Sequence, residues 1–168
     1  MQLRSEWVFD NEAGDIWPNF LHARMDETRP LLFRFGIPKP VSCKVLEGHA
    51  AVGNTRQCTT DQGTIDQRIL VLEENRLLRY RMIDSTVWCR DWVGFLEDEF
   101  RLTPLGNGQT RVERTTTFEA RGAFKSLRQL GLRLALAQAH RYAARNWRRL
   151  ACEKQAERAP VEGVFSAA

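Results

Sequence analysis

The chain has 168 residues, a mass of 19.4 kDa and a formal net charge of +4. This length fits one domain with a sizeable core, and 43% hydrophobic with 27% charged residues is ordinary for a globular protein. No apolar run approaches the roughly 20 residues of a membrane-spanning helix, so no such helix is predicted in this sequence.

The first elements in chain order are a strand and short helices. Residues 3–10 alternate between apolar and polar side chains, which predicts a strand. Residues 15–25 predict one or two short helices, interrupted at a proline. Residues 26–40 predict a loop, because prolines and a glycine punctuate them. Phe33 and Phe35 in this loop are candidates for the rim of a cavity.

From residue 41 the hydrophobic period changes to two, which is typical of strands. Short turns with Gly or Asn favour antiparallel hairpins. A longer connection carries Trp88 and Trp92, which could gate a cavity or meet a membrane interface, although packing of the loop on the body is the simpler interpretation. The six predicted strands here are 42–47, 54–60, 64–73, 76–83, 94–103 and 110–120.

A long helix is predicted over residues 122–158, which contain no proline and many strong helix formers. One apolar stripe runs along its whole length, through Leu132, Leu136, Ala139, Ala143, Trp147 and Leu150. A second stripe of leucines occupies the first half only and ends near Gln138. We expect Leu130, Leu134 and Gln138 to face a cavity, although the stripe could instead emerge into water at Gln138 or form a dimer contact.

The order of a strand, small helices, a six-strand meander and a long helix predicts an α+β fold. Several short motifs occur in order along this layout: Ile16-Trp17-Pro18, Gly36-Ile37-Pro38, Gly53-Asn54-Thr55-Arg56, Gly63-Thr64-Ile65, Phe100-Arg101-Leu102-Thr103-Pro104 and Gly108-Gln109-Thr110-Arg111. With these motifs, the layout resembles the START-like, or SRPBCC, superfamily, which includes polyketide cyclase/dehydrase-like proteins. The resemblance implies a helix-grip fold, in which a curved antiparallel sheet, here of seven predicted strands, wraps around the long C-terminal helix and two short helices follow strand 1.

The domain is expected to span residues 1–158, followed by a flexible tail over residues 159–168. Residues 1–10 carry charges where a signal peptide needs an apolar run, so we expect a cytoplasmic protein. In a reducing cytosol, free thiols are expected because no CxxC pair is present. This applies to Cys43, Cys58, Cys89 and Cys152.

Alternation on two neighbouring strands places polar residues among apolar ones. Asp98 shares a face with Phe100, and Arg114 shares a face with apolar residues of the next strand. A buried charge is costly unless it is paired, so the two could pair with each other or anchor a ligand head group. A register shift of one residue would instead expose both. Tyr80 is a similar candidate that could also be a core residue, and Arg56 is a weaker one.

No metal site, cofactor site or catalytic signature is predicted. His22, His49 and His140 are scattered, and none has a second ligand at a metal-binding spacing. No P-loop, GxSxG or strand-linked GxGxxG motif is present, and no catalytic residue is assigned.

The family resemblance implies binding, and possibly transport, of a small hydrophobic ligand such as a lipid, isoprenoid or aromatic polyketide. The first alternative is a cyclase or dehydratase in which Asp98, Arg114 or Tyr80 moves protons. The second is binding to an anionic membrane surface, because residues 121–158 carry ten basic and two acidic side chains. No nucleic-acid motif is present, and we expect a monomer or a weak homodimer.

Overall fold

The structure, a computed structural model, describes residues 1–158. The predicted tail, residues 159–168, lies outside the described residues. A long helix packs against one face of an antiparallel sheet, whose strands are β1 (Gln2–Phe9), β2 (Ala23–Arg24), β3 (Pro40–Val45), β4 (Thr55–Thr60), β5 (Gly63–Glu73), β6 (Leu77–Ser85), β7 (Val93–Gly106) and β8 (Gln109–Ala120). The helices are α1 (Ala13–Ile16), α2 (Pro18–Leu21), α3 (Leu31–Arg34) and α4 (Lys125–Arg158), with one turn of 3-10 helix at Arg90–Trp92.

The predicted α+β helix-grip architecture is confirmed. The strands follow the order β1-β8-β7-β6-β5-β4-β3-β2, so the first strand pairs with the last and the rest form a meander. Tight turns make this order possible, and Asn75 and Asn107 adopt positive φ in two of them. The curved sheet thereby surrounds one side of α4.

The predicted count of seven strands is wrong, because the described part of the chain contains eight. The additional strand, β2, has two residues and pairs with β3 through Ala23 and Arg24. Two residues are too few for an alternating pattern, so the sequence contains no signal for it. The predicted loop over residues 26–40 also contains the short helix α3.

The face of α4 that meets the sheet differs from the prediction. Leu130 and Leu134 are 53% and 54% exposed, and so lie on the outer side of the helix. Leu132 is buried and Leu136 half-buried against the sheet. Successive helical residues are rotated by about 100°, so Leu130 and Leu132 point in nearly opposite directions. The first half of α4 is thus apolar on both sides, and only one of them is covered.

Two apolar clusters form the interior. The larger one is centred on Trp147, whose ring contacts Phe20 at 4.8 Å and Phe100 at 5.5 Å between centroids. The smaller one lies beside the start of α4 and contains Phe118 and Leu132. A row of polar side chains separates the two clusters.

Candidate ligand-binding cavity

A cavity of about 190 Å³ lies between the sheet and α4. Its walls are mainly apolar, and exposed Arg90 and half-buried Ile37 lie where it approaches the surface. Small residues on α4 leave the space open, because alanine side chains do not reach the sheet. The helix contributes Leu132, Ala135, Leu136, Ala139, Ala143 and Trp147.

Five neighbouring strands, β4 to β8, each place a buried polar side chain in the cavity wall. We call this row the polar belt; it consists of Arg56, Gln67, Tyr80, Asp98 and Arg114. The register aligns its members, since Arg56 pairs with Gln67 and Tyr80 pairs with Asp98 across adjacent strands. The belt holds two guanidinium groups and one carboxylate, and therefore an excess of one positive charge.

Asp98 and Arg114 form a buried bidentate ion pair. Nε and Nη2 of Arg114 donate to the two carboxylate oxygens of Asp98, each at 3.0 Å, and the hydroxyl of Thr116 also donates to Asp98. Burial raises the pKa of Asp98, but the charge and hydrogen bonds of Arg114 outweigh this effect and lower it overall. Asp98 is therefore an ionised counter-ion with few free lone pairs.

His140 on α4 extends this network away from the cavity. Its Nε2 lies 2.7 Å from the hydroxyl of Thr116, and its Nδ1 lies 2.8 Å from that of Ser5. Because Thr116 uses its only proton for Asp98, Nε2 of His140 is the donor to Thr116. Neutral His140 then accepts from Ser5 at Nδ1. Burial, followed by the charge of Arg114, lowers the pKa of His140 to about 3.

Arg56 has no such counter-ion. Its Nε donates to the carbonyl of Phe20 at 2.7 Å, and Nη1 donates to Oε1 of Gln67 and contacts Sγ of Cys58 at 2.8 Å. Among the side chains that the structure describes, no carboxylate lies at ion-pair distance from Arg56, and none accepts a hydrogen bond from its Nη2. Burial lowers the pKa of Arg56, but a guanidinium stays protonated in proteins. A buried cation therefore faces the cavity with donor capacity to spare.

Tyr80 stacks on this guanidinium and brings a second polar atom to the cavity. Cζ of Arg56 lies 4.7 Å from the centre of the Tyr80 ring. Within the described part of the chain, the Tyr80 hydroxyl has no hydrogen-bond partner, and it is not sealed from the cavity. Burial raises the pKa of Tyr80, so the hydroxyl remains a donor at neutral pH.

Cys43 and Cys58 form a disulfide, and the prediction of four free thiols is wrong for this pair. The two residues lie directly opposite each other on β3 and β4, with 4.1 Å between their Cα atoms. Their separation of 15 residues along the chain does not reveal this register. Cys89 and Cys152 are free.

Of the predicted ligand-binding residues, Tyr80, Asp98 and Arg114 line the cavity. Phe100 is buried in the larger apolar cluster instead. Leu130 and Leu134 lie on the outer face of α4, so their predicted placement in the cavity is wrong. Gln138 is half-buried but forms no part of the wall, because it lies near the outer side of the same helix.

The predicted loop aromatics lie beside the cavity rather than in it. Phe33 is fully buried and contacts the ring of Tyr142, whereas Phe35 is 75% exposed. Trp88 and Trp92 pack edge to face, with ring centres 5.0 Å apart. Nε1 of Trp88 donates to the carbonyl of Gly36 at 3.0 Å, and thus joins the two loops that flank the cavity. None of these four aromatic residues lines the wall.

Sequence reasoning gave too little weight to Arg56 and did not identify Gln67. Alternation places Arg56 and Cys58 on one face of β4, and this was the available signal. It did not show that Arg56 lacks a counter-ion, because that depends on every strand that faces it.

No group of three or more potential metal ligands is found among the described residues.

The fold and the cavity together define a START-like protein, with an internal cavity between a curved sheet and its C-terminal helix. The sequence profile of the family described as "Polyketide cyclase / dehydrase and lipid transport" matches residues 36–153. The chain therefore belongs to this family. No curated protein matches the chain.

Solved structures with the same fold share little sequence with this chain. The Zhui aromatase/cyclase from Streptomyces sp. R1128 is 15% identical with a TM-score of 0.59, over 97% of this chain and 98% of that one. A START superfamily protein from Mycobacterium smegmatis is 12% identical with a TM-score of 0.60, over 93% and 97%. A protein from Thermus thermophilus is 12% identical with a TM-score of 0.65, over 92% and 99%. These likenesses concern the fold.

Among the helices of residues 1–158, none combines the length and hydropathy that a membrane span requires.

Proposed function

We propose that the chain binds a small amphipathic molecule with an apolar body and an anionic head group in the cavity between the sheet and α4. The observation that carries this proposal is the guanidinium of Arg56, which is buried beside an apolar cavity without a carboxylate partner among the described residues. A buried charge is costly unless it is compensated. A ligand carboxylate would supply the missing counter-ion and could accept hydrogen bonds from Nη2 of Arg56 and from the Tyr80 hydroxyl.

The cavity volume limits the size of this ligand. Cavities of roughly 150 Å³ accommodate a benzene-sized molecule, and typical small-molecule sites have roughly 300–1,000 Å³. At about 190 Å³, the cavity fits a single aromatic ring or a medium-length acyl chain better than a multi-ring polyketide. A short carboxylic acid therefore satisfies the size, the apolar walls and the charge together.

A cyclase or dehydratase activity is the alternative. The family description includes cyclases and dehydrases, and such chemistry needs a group that moves a proton at the cavity surface. Asp98 is a poor base, because the ion pair with Arg114 keeps its pKa low. Tyr80 could donate a proton or stabilise an enolate together with Arg56. Binding alone requires fewer groups, so we place it first.

Calorimetric titration with octanoate and 1-octanol tests the proposal, because the two ligands share the apolar chain and differ in charge. Hydrogen bonds to charged groups contribute about 1.5–3 kcal/mol. We therefore expect octanoate to bind on the order of tenfold or more tightly than octanol. Arg56→Gln should remove this preference and leave octanol binding unchanged. The exposed Arg90→Gln, at the rim, is the matched control and should retain the preference.

Absence of binding by both ligands would refute the proposed function. Equal binding of octanoate and octanol would retain a hydrophobic-ligand cavity but refute Arg56 as its anionic anchor. Lyase activity on a cavity-sized hydroxy acid, lost in Tyr80→Phe, would instead support the enzymatic alternative.

A second candidate function is contact with an anionic membrane surface. The outer face of α4 exposes Leu127, Leu130 and Leu134 at 69%, 53% and 54%. The exposed Arg133, Arg141 and Arg145 lie within about 60° of Leu130 around the helix axis, and no acidic residue occurs from 121 to 152. An apolar stripe flanked by basic side chains is typical of helices that lie on anionic bilayers. A second copy of the same face would be repelled, because both faces carry positive charge.

Vesicle co-sedimentation tests this contact. The chain should bind vesicles that contain phosphatidylglycerol and not vesicles of phosphatidylcholine alone. Replacing the three exposed leucines by serine should abolish binding. Equal binding to both kinds of vesicle, or full binding by the triple variant, would refute the contact.

A further inference from the structure

The Cys43–Cys58 disulfide lies in the cavity wall, next to the buried cation. Both residues line the cavity, Cys43 being 6% exposed and Cys58 half-buried. Nη1 of Arg56 lies 2.8 Å from Sγ of Cys58. No comparable contact with Cys43 is found among the described residues, so the two sulfur atoms have different electrostatic surroundings.

We infer that Cys43 and Cys58 are a redox-active pair, and that Cys58 is its nucleophilic member, held as a thiolate by Arg56 when the pair is reduced. The thiolate is the reactive form of cysteine, and an adjacent cation stabilises it. Oε1 of Gln67 is the competing neighbour, since it could accept a hydrogen bond from a protonated thiol. It lies 3.6 Å from the sulfur, farther than the guanidinium.

The redox step balances with a dithiol as the reductant. The two thiols of the reductant lose two electrons and two protons and become a disulfide. The two electrons cleave the Cys43–Cys58 bond, Cys43 takes up one proton, and the other proton goes to solvent. Cys58 remains as the thiolate beside Arg56.

The two redox states therefore differ in the charge that Arg56 presents to the cavity. In the disulfide state the sulfur of Cys58 carries no charge, and Arg56 has no counter-ion. In the dithiol state the thiolate supplies one at a distance of 2.8 Å in the present geometry. The reduced cavity is thus a site for soft electrophiles, which would react at Cys58 without needing an anionic head group.

The chain provides two reference thiols for a test. Cys89 also lines the cavity and is half-buried, but burial raises the pKa of its thiol. Cys152 is exposed on α4 and reports simple access to reagent. A thiol that reacts faster than both must be activated by its surroundings rather than by exposure.

Iodoacetamide labelling, quantified for each cysteine by peptide mass spectrometry, tests the inference; alkylation forms an S–C bond and releases iodide. Before reduction, Cys43 and Cys58 should remain unlabelled, and the intact mass should be two hydrogens below the dithiol value. After reduction at pH 7, Cys58 should react on the order of tenfold faster than Cys89. Between pH 6.5 and 8 its rate should change little, whereas that of Cys89, whose thiol pKa is raised by burial, should rise.

Arg56→Gln should lower the rate of Cys58 to that of Cys89 and leave Cys152 unchanged. If this variant does not fold, the pH profile of the native chain decides, because only a stabilised thiolate gives a flat profile. Labelling of Cys43 and Cys58 before reduction would overturn the redox pair. A Cys58 rate that rises with pH in parallel with Cys89, or that is unaffected in folded Arg56→Gln, would overturn the role of Arg56. The assay contains no ligand, so failure of octanoate binding would leave this inference intact.

Discussion

The hydroxyl of Ser5 donates a hydrogen bond of 2.8 Å to Nδ1 of His140 and so joins the first strand to the last helix across 135 residues of sequence. This donor direction follows from the other side of the ring, where Nε2 donates to Thr116. His140 is thus held in one neutral tautomer by residues of β1 and β8.

Stability should fall as the pH decreases from 6.5 to 5. The pKa of His140 is lowered to about 3 in the folded chain, so in this interval the unfolded chain binds a proton that the folded chain does not. Each pH unit by which the pH falls then lowers the free energy of unfolding by about 1.4 kcal/mol. Urea unfolding at several pH values should show this slope, and His140→Gln should flatten it. The exposed His49→Gln is the control, and a slope retained by His140→Gln would contradict the assignment.

Asp98→Asn should lower the free energy of unfolding by about 3–5 kcal/mol, because it leaves Arg114 buried without its counter-ion. The double variant Asp98→Asn/Arg114→Gln removes both charges and should lower the free energy of unfolding less than Asp98→Asn alone. Chemical denaturation of the three proteins measures this. A double variant less stable than Asp98→Asn would show that Arg114 does not depend on Asp98.

Ala139→Phe should reduce octanoate binding more than tenfold, because the ring would fill part of a cavity of about 190 Å³. Leu134→Arg should leave binding unchanged, since Leu134 lies on the outer face of α4. The leucine stripe predicted from the sequence would require the opposite result. Calorimetric titration of both variants thus distinguishes the two faces of the helix.

The double variant Cys43→Ser/Cys58→Ser should be less stable than the oxidised chain by about 3 kcal/mol, as expected for a disulfide that closes a loop of about this length. Reduction of the native chain should lower the free energy of unfolding less than this, because the Cys58 thiolate then supplies a counter-ion for Arg56. Cys89→Ser is the matched control and should have a much smaller effect. Equal stability of the oxidised chain and the double variant would contradict the prediction.

The fold could be predicted because its signals are local or periodic. Alternation identified the long strands, and the proline-free run identified α4. The cavity wall was predicted only in part. Asp98, Arg114 and Tyr80 could be identified because they belong to strands with clear alternation. Arg56 and the disulfide depend on the pairing of β3 with β4 and β5, which no single strand reveals. The first half of α4 carries two apolar stripes, so the sequence did not show which of them faces the sheet. In the structure, the side of the helix that carries the small alanines faces the cavity.

The polar belt runs between two apolar clusters, and its member Tyr80 also packs in the larger one. Trp147 and its aromatic neighbours form one apolar cluster, and Phe118 and Leu132 belong to the other. Since the larger cluster holds most of the buried aromatic residues, substitutions around the smaller one can reshape the cavity while the scaffold persists. Substitutions near the start of α4 can therefore alter the shape of the cavity without contacting Arg56.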